Sequence, residues 1–417
     1  MTAPLTTSAR APRALVAMLV VAYTLNFVDR QVIGILAGPI KAELSLTDSQ
    51  LGLMGGVAFA VFYGVLGIPL ARLADHTTRS GVITGAIAVW SAFTALCGLA
   101  PGFWTLFLCR VGVGVGEAGG VAPSYALVAD AVPSGSRARA LAILSFGSPI
   151  GSALGILLGG WLAATVDWRM AFLALGAAGL LFAPLFRALV REPSRSVELR
   201  ANAPALWPVL ARNPTFWLLS LGAAATSLVG YGLLFWLPSF FVRSHGLSLL
   251  ATSRLYGGIV LVGGIAGLWG GGWLADRLSQ RSRRAYALVP AAALLAAVPL
   301  YAVGLLATSL PLTVTLFVLP HALALMWLGP VTAAVQGIVP AASRATASAV
   351  FLLVLNVLGI GGGALFFGAV SDALTLRLGA ESLRYAILAG LGFYLVAAAL
   401  FFVASRRIDG DWRDDAP

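Results

Sequence analysis

The sequence predicts an all-α integral membrane protein, with twelve transmembrane helices in two pseudosymmetric six-helix bundles. Three observations carry that prediction. The 417 residues are 59% hydrophobic and only 10% charged, with a mean hydropathy of +0.92, whereas a soluble domain carries roughly 25% charged residues. Apolar runs separated by polar loops give twelve segments long enough to span a bilayer. A stretch of sequence also returns. Ala71-Arg-Leu-Ala-Asp75-His-Thr-Thr-Arg79 reappears as Gly272-Trp-Leu-Ala-Asp276-Arg-Leu-Ser-Gln-Arg281 at an offset of 201 residues. Val132-Pro-Ser-Gly-Ser-Arg137-Ala-Arg-Ala reappears as Val339-Pro-Ala-Ala-Ser-Arg344-Ala-Thr-Ala at an offset of 207. Two matches in the same order at nearly one offset mean two homologous halves, the pattern of transporters that rock one bundle against the other.

The segments run over 13–40, 49–72, 80–99, 102–131, 138–165, 168–190, 214–243, 250–275, 284–307, 310–338, 345–373 and 383–405. The first is longer than a signal-peptide core and lacks a small-residue cleavage site after it, so it is a retained helix. Segment five carries Gly147, Gly151, Gly155 and Gly159 at every fourth residue, and segment eleven carries Gly359, Gly361, Gly362, Gly363 and Gly368. Small residues on one face let helices approach closely in lipid, as static packing or as a sliding surface. Between segments six and seven lies a stretch rich in Arg, Pro and Ser. The expected organisation is a first bundle over 1–190, a cytoplasmic linker over 191–213 and a second bundle over 214–417. Cys97 and Cys109 fall inside apolar runs and are expected as buried free thiols rather than a disulfide framework.

The net charge of +11 comes from 26 arginines and one lysine, Lys41. These cations flank apolar runs, which argues against a nucleic-acid partner and for a membrane topology. With the N-terminus placed in the cytoplasm, nineteen cations fall on that side and six on the other, with Arg30 and Arg110 inside the spans. The positive-inside rule then puts both termini in the cytoplasm, in the inner (plasma) membrane of a bacterium.

The repeated Leu-Ala-Asp segment with trailing basic residues resembles the loop motif of the major facilitator superfamily, at the two places that fold requires. Arg110-Val-Gly-Val-Gly114-Val-Gly116-Glu117-Ala118 is similar to the same superfamily's Arg-x-x-x-Gly-x-Gly signature. The resemblance implies a loop charge lock in which Arg79 pairs with Asp130 and Asp75 faces the start of helix 11. Arg137, Asp276 and Arg277 complete the expected gate. The sequence departs from the pattern in two places. Ala71 stands for the usual glycine, and Asp130 has no counterpart at the 207 offset, where Gly337 stands. The lock is therefore expected to be asymmetric.

Five ionisable side chains lie within the spans: Asp29, Arg30, Arg110, Glu117 and His321. A charge at mid-bilayer costs at least ~2.5–3.5 kcal/mol, so such groups ordinarily face an interior cavity. Arg110 and Glu117 share a helix face about 10.5 Å apart, and Asp29 lies between them in depth, ~16 Å from the outer end of its helix against ~12 Å and ~22 Å. In the fold implied by the resemblance, helices 1 and 4 both line the central cavity, so the three can form a carboxylate–guanidinium–carboxylate cluster. A carboxylate in low dielectric holds its proton and a guanidinium beside it favours release, so moving Arg110 between the two acids would move protons. The alternative is a static salt bridge joining helices 1 and 4. Arg30 points about 100° from Asp29. It either faces the other half as a gate or headgroup contact, or snorkels.

The second half offers Tyr231, Phe235, Trp236, His321, Trp327 and Gln336 on helices 7 and 10, with no carboxylate. An acidic first half facing an aromatic second half suggests a substrate with a polar head and an apolar body; packing or lipid contact is the other explanation for each aromatic. His321 beside Pro320 is equally explained by a hydrogen bond to a freed carbonyl. Asn26-Phe27-Val28-Asp29-Arg30, Pro39-Ile40-Lys41-Ala42-Glu43-Leu44 and Gly116-Glu117-Ala118 resemble the spinster-like transporters. That likeness implies a lysophospholipid or sphingoid-lipid substrate. Organic anion–cation symporters share the Asp-Arg pair and the Gly-Glu-Ala run; a multidrug exporter of the same superfamily is a further alternative, and a non-transporting receptor on the same fold, which would have no use for the buried charges, is the last. With no phosphate loop, metal-ligand cluster or nucleophile–base pair, neither an enzyme nor a cofactor is expected. The expected partners are the small-molecule or lipid substrate, protons and membrane lipids around a monomer.

Overall fold

The computed structural model describes residues 10–190, 192, 210–340 and 344–413, and all regular structure among them is helical. Most of the expected linker at 191–213 lies outside the described residues. The spans are α1 (Arg10–Ile35), α2 (Asp48–Gly55, continued by Val57–His76), α3 (Arg79–Cys97), α4 (Phe103–Glu117 and Val121–Ala131), α5 (Ser134–Ser145 and Gly147–Thr165) and α6 (Trp168–Leu189). They continue as α7 (Pro214–His245), α8 (Leu249–Ser279), α9 (Ala285–Leu306), α10 (Leu310–Leu325 and Leu328–Gly337), α11 (Arg344–Leu378, with a π-helical stretch at Leu355–Ile360) and α12 (Ser382–Gly390 and Gly392–Ser405). Among the described residues, eleven helical stretches are long and apolar enough to cross a membrane. The last of them, Thr346–Ser405, turns back at Gly379 (φ 56°), so α11 and α12 pack side by side and the crossings number twelve.

The described chain packs as two compact units. One contains α1 to Val32 and everything from Phe62 to Glu192; the other contains Ile33–Val61 and everything from Leu210 onward. In the first unit α3 packs between α4 and α6. The glycines of α5 let its backbone lie on α1, since a Cβ on Gly155 would stand 2.6 Å from the Val28 carbonyl oxygen. In the second unit α8 and α9 pack on α10, and α7 on α11 and α12.

Local chemistry repeats with the halves. α4 breaks at Ala118–Gly120 and α10 at Met326–Trp327. Each break precedes a proline, Pro123 or Pro330, that cannot close a hydrogen bond onto the carbonyl four residues back. These prolines differ by 330 − 123 = 207 positions, the offset of the second sequence repeat.

Gly337, where the repeat lacks the acid matching Asp130, has a physical reason. The Trp412 indole lies against it, and a Cβ on Gly337 would meet that ring at 2.5 Å. Trp412 stacks on Tyr286 with centroids 5.5 Å apart, and the Arg283 guanidinium lies 5.3 Å from its centroid. Around it, Thr215 Oγ1 donates to Asp411 Oδ2 at 2.5 Å, Arg284 Nε to Asp409 Oδ2 at 2.7 Å and the Arg413 amide to the Gly337 carbonyl at 2.9 Å. A C-terminal strap occupies the place where the second half lacks the acid of the lock.

Candidate functional site

In the first unit α1, α3 and α4 bring a set of polar groups into an apolar interior. Asn26, Asp29, Arg110 and Glu117 are 3%, 4%, 1% and 0% exposed. Asn26, Asp29 and Arg30 occupy positions i, i+3 and i+4 of α1 and so share a helix face. Asp29 feels the charges of both Glu117 and Arg110, and Glu117 those of Arg30 and Arg110. The expected trio is therefore assembled in one place.

Its ion pair differs from the expected one. Arg30 Nε donates to Glu117 Oε2 at 2.7 Å, with Arg30 9% and Glu117 0% exposed. Adjacent helix positions do diverge, but the long arginine side chain reaches across to α4 instead of pointing away from the cluster. Its guanidinium also lies 5.0 Å from the Phe27 ring centroid and 4.8 Å from that of Tyr63, contacts that favour a desolvated cation.

The rest of the cluster is under-partnered. Arg110 Nε, Arg110 Nη1 and Asn26 Oδ1 are buried with no hydrogen-bond partner within the protein, and Glu117 Oε1 has no cation bound to it, only the Asn26 side chain nearby. Such atoms are few in a folded interior, and each is a candidate working group. Of these residues Asn26 lines a small cavity, with Tyr23, Trp90, Gly120 and Ser124 among its other walls. The sequence reading missed Asn26 and Trp90. An asparagine one turn before Asp29 and Arg30 in an apolar helix was the available signal; for Trp90 there was none.

The gate residues of the first unit come together. Arg79 Nη1 pairs with Asp130 Oδ2, and its Nη2 lies 3.7 Å from Asp75 Oδ1. Glu192, not foreseen, accepts the backbone N–H groups of Arg79 and Ser80, both at 2.9 Å, closing the start of α3. Arg137 Nε donates to the Val132 carbonyl at 3.0 Å. In the second unit Arg277 lies over Trp273, its guanidinium 5.7 Å from the ring centroid, and the Asp276 carbonyl accepts from Ser279 Oγ at 2.9 Å.

The second-unit aromatics are mostly packed. Trp236 is fully buried and its indole N–H donates to the Ala364 carbonyl at 2.8 Å, joining α7 to α11. Phe235 is edge-on to Trp236 and abuts Gly34 and Gly55. His321 is 7% exposed and packs on Gly263 of α8; Trp327 is buried at the break in α10, and Tyr231 is half-buried. A different charged cluster, around Asp48 at the start of α2, was not anticipated at all.

A two-unit helical membrane bundle with internal half-repeats and buried, incompletely partnered charges defines a secondary transporter. The Major Facilitator Superfamily profile matches residues 19–364, and the chain belongs to that superfamily. Within it the chain is homologous to the spinster proteins: it is 31% identical to human protein spinster homolog 1 over 387 residues, covering 86% of this chain and 73% of that one. It is also 35% identical to an MFS-type efflux pump of Mycolicibacterium smegmatis, over 97% of this chain and 95% of the pump. Among solved structures it is similar to a bacterial homolog of the human lysosomal transporter Spinster in an inward-facing, unoccupied conformation. That match has a TM-score of 0.88 and 32% identity, over 98% of this chain and 100% of the other.

Proposed function

We propose that this transporter couples proton movement to the passage of a small amphipathic substrate, such as a lysophospholipid or sphingoid lipid, by alternating access. The observation that carries the coupling is the Glu117–Arg110 pair of groups: Glu117 is fully buried, with one oxygen held by Arg30 and only the neutral Asn26 side chain beside the other, next to an Arg110 with two unsatisfied N–H groups. A structural salt bridge has no reason to leave charged atoms unsatisfied in low dielectric. A relay needs that spare capacity, because a proton arriving on Asp29 or Glu117 frees the guanidinium that faced it to engage the other acid.

Arg30 then has two duties. It holds Glu117 in the deprotonated state and offers its guanidinium to an anionic headgroup when Glu117 is protonated. Tyr231, Phe235, His321 and Trp327 would supply the apolar wall, with Tyr231 the most available of them, while Trp236 packs behind it. Arg79, Asp75, Asp130, Arg137, Asp276 and Arg277 form the cytoplasmic gate, in a monomer with both termini in the cytoplasm of a bacterial inner membrane. The excess of cations on the loops assigned to that side supports the orientation.

The similarity to an efflux pump over nearly the full length of both chains favours one second reading, proton-driven export of drug-like compounds. Thermal shift in detergent separates the two, since a ligand of the folded state raises the melting temperature. Lysolipids are expected to stabilise the protein. Stabilisation by cationic drugs or by hexuronates and benzoates alone would move the assignment to drug export or organic-anion symport.

A further inference from the structure

At the start of α2 two aspartates from different helices exchange partners. Asp48, 1% exposed, accepts from Lys41 Nζ at 2.5 Å, from Arg243 Nη1 and Nη2 at 2.6 and 2.7 Å, and from Ser371 Oγ at 2.7 Å. Asp372 on α11 returns the contact: its carboxylate accepts the Asp48 amide at 3.0 Å, the Ser49 amide at 2.7 Å and Ser49 Oγ at 2.5 Å. It therefore sits on the N-terminus of α2, where free N–H groups and the helix dipole favour an anion. Arg243 of α7 also lies over Trp236, the residue that joins α7 to α11.

We infer that Asp48, Arg243, Ser371 and Asp372 are gate residues, a latch that closes one end of the transport path in this structure and releases when that end opens. Three features distinguish a latch from a permanent brace. First, Lys41 and Asp48 belong to Ile33–Val61, the segment that the sequence repeat places in the first half but that packs with the second unit. If the halves rock apart at this end, this seam has to part. Second, at Gly52 and Gly56 the seam below the latch is backbone on backbone. A Cβ on Gly56 would stand 2.6 Å from the Gly361 carbonyl oxygen, and one on Gly52 would stand 2.8 Å from Leu365 Cα. Surfaces without interdigitated side chains separate without rotamer changes. Third, Asp48 is the first residue of its span and Arg243 lies near the end of its own, where water can take over their hydrogen bonds once the seam opens. Asp29 and Glu117 have no such access to the aqueous edge.

The latch predicts a state-dependent surface. In a Cys97→Ala, Cys109→Ala background, Ala60→Cys places a reporter on α2 facing Gly361, at a position 0% exposed in the closed seam. A membrane-impermeant maleimide applied to each face of oriented vesicles in turn reads its exposure. Asp48→Asn and Asp372→Asn, checked for an intact melting transition, should each label at least several-fold faster than the parent from one face only. Should Asp48→Asn fail to fold, Ser371→Ala removes one hydroxyl and should give a smaller increase in the same direction. An increase from the face assigned to the cytoplasm would reverse the orientation and leave the latch standing. Folded variants that label at the parent rate from both faces would show the cluster to be a fixed brace and overturn the inference.

Discussion

The molecule buries carboxylates in two ways. Around Asp48 every oxygen is engaged: two cations and a hydroxyl hold it, and the helix end beside it is covered by Asp372. Around Glu117 one oxygen is held by Arg30 and the other has only the neutral Asn26 side chain near it, and Arg110 keeps two N–H groups unmatched. Both acids are as buried as any residue in the chain. The difference teaches what each site is for. A fully matched cluster holds one state closed until its seam parts, whereas an incompletely matched one can change its partners within a closed interior, which is what a proton relay requires.

Removing one cation from each cluster should give unequal losses, and this is the largest expected effect. Arg30→Ala leaves Glu117 buried without its ion partner and should destabilise by ~3–5 kcal/mol. Arg243→Ala leaves Asp48 with Lys41 and Ser371 and should lose about 1–3 kcal/mol. Denaturation in matched detergent measures both, and equal losses would break the comparison.

The next effect concerns the strap. Gly337→Ala forces a methyl against the Trp412 ring and should destabilise by about 1–3 kcal/mol. In a Trp412→Ala background the same substitution should be close to neutral. A penalty unchanged by removal of Trp412 would show that the missing acid at this position has another cause.

The smallest thermodynamic effect is expected at the exposed lock. Asp75 and Asp130 are each 32% exposed, so Arg79→Ala should change stability by at most ~1 kcal/mol. It should nonetheless raise cysteine accessibility on the cytoplasmic side, because the partners hold a gate. No change in accessibility would remove the lock assignment.

The sequence made the fold legible because bilayer thickness and backbone satisfaction leave so few choices: twelve apolar runs, a repeat and a charged loop motif point one way. The Arg79–Asp130 pair was legible for the same reason, since a motif fixes it. The Arg30–Glu117 pair was not. Helical periodicity fixes a direction about one axis, but not which long side chain crosses to a neighbouring helix. The Asp48 cluster was hidden more deeply: apart from Lys41, its partners lie 195 and 323 positions away, and each reads as an ordinary charge or hydroxyl toward the end of a span. Gly337 was visible as a departure, while its cause was a tryptophan from the C-terminal segment.

The central claim is that the under-partnered cluster moves protons. Glu117→Gln and Asp29→Asn keep shape and hydrogen bonding and remove the titratable group, so both variants should insert and fold. Uptake into proteoliposomes driven by a pH gradient, compared with substrate exchange at matched protein content, tests the claim most directly. Both variants are expected to lose gradient-driven uptake, with exchange retained in at least one. Gradient-driven uptake at the wild-type rate in both would contradict the account and reduce the cluster to a structural bridge.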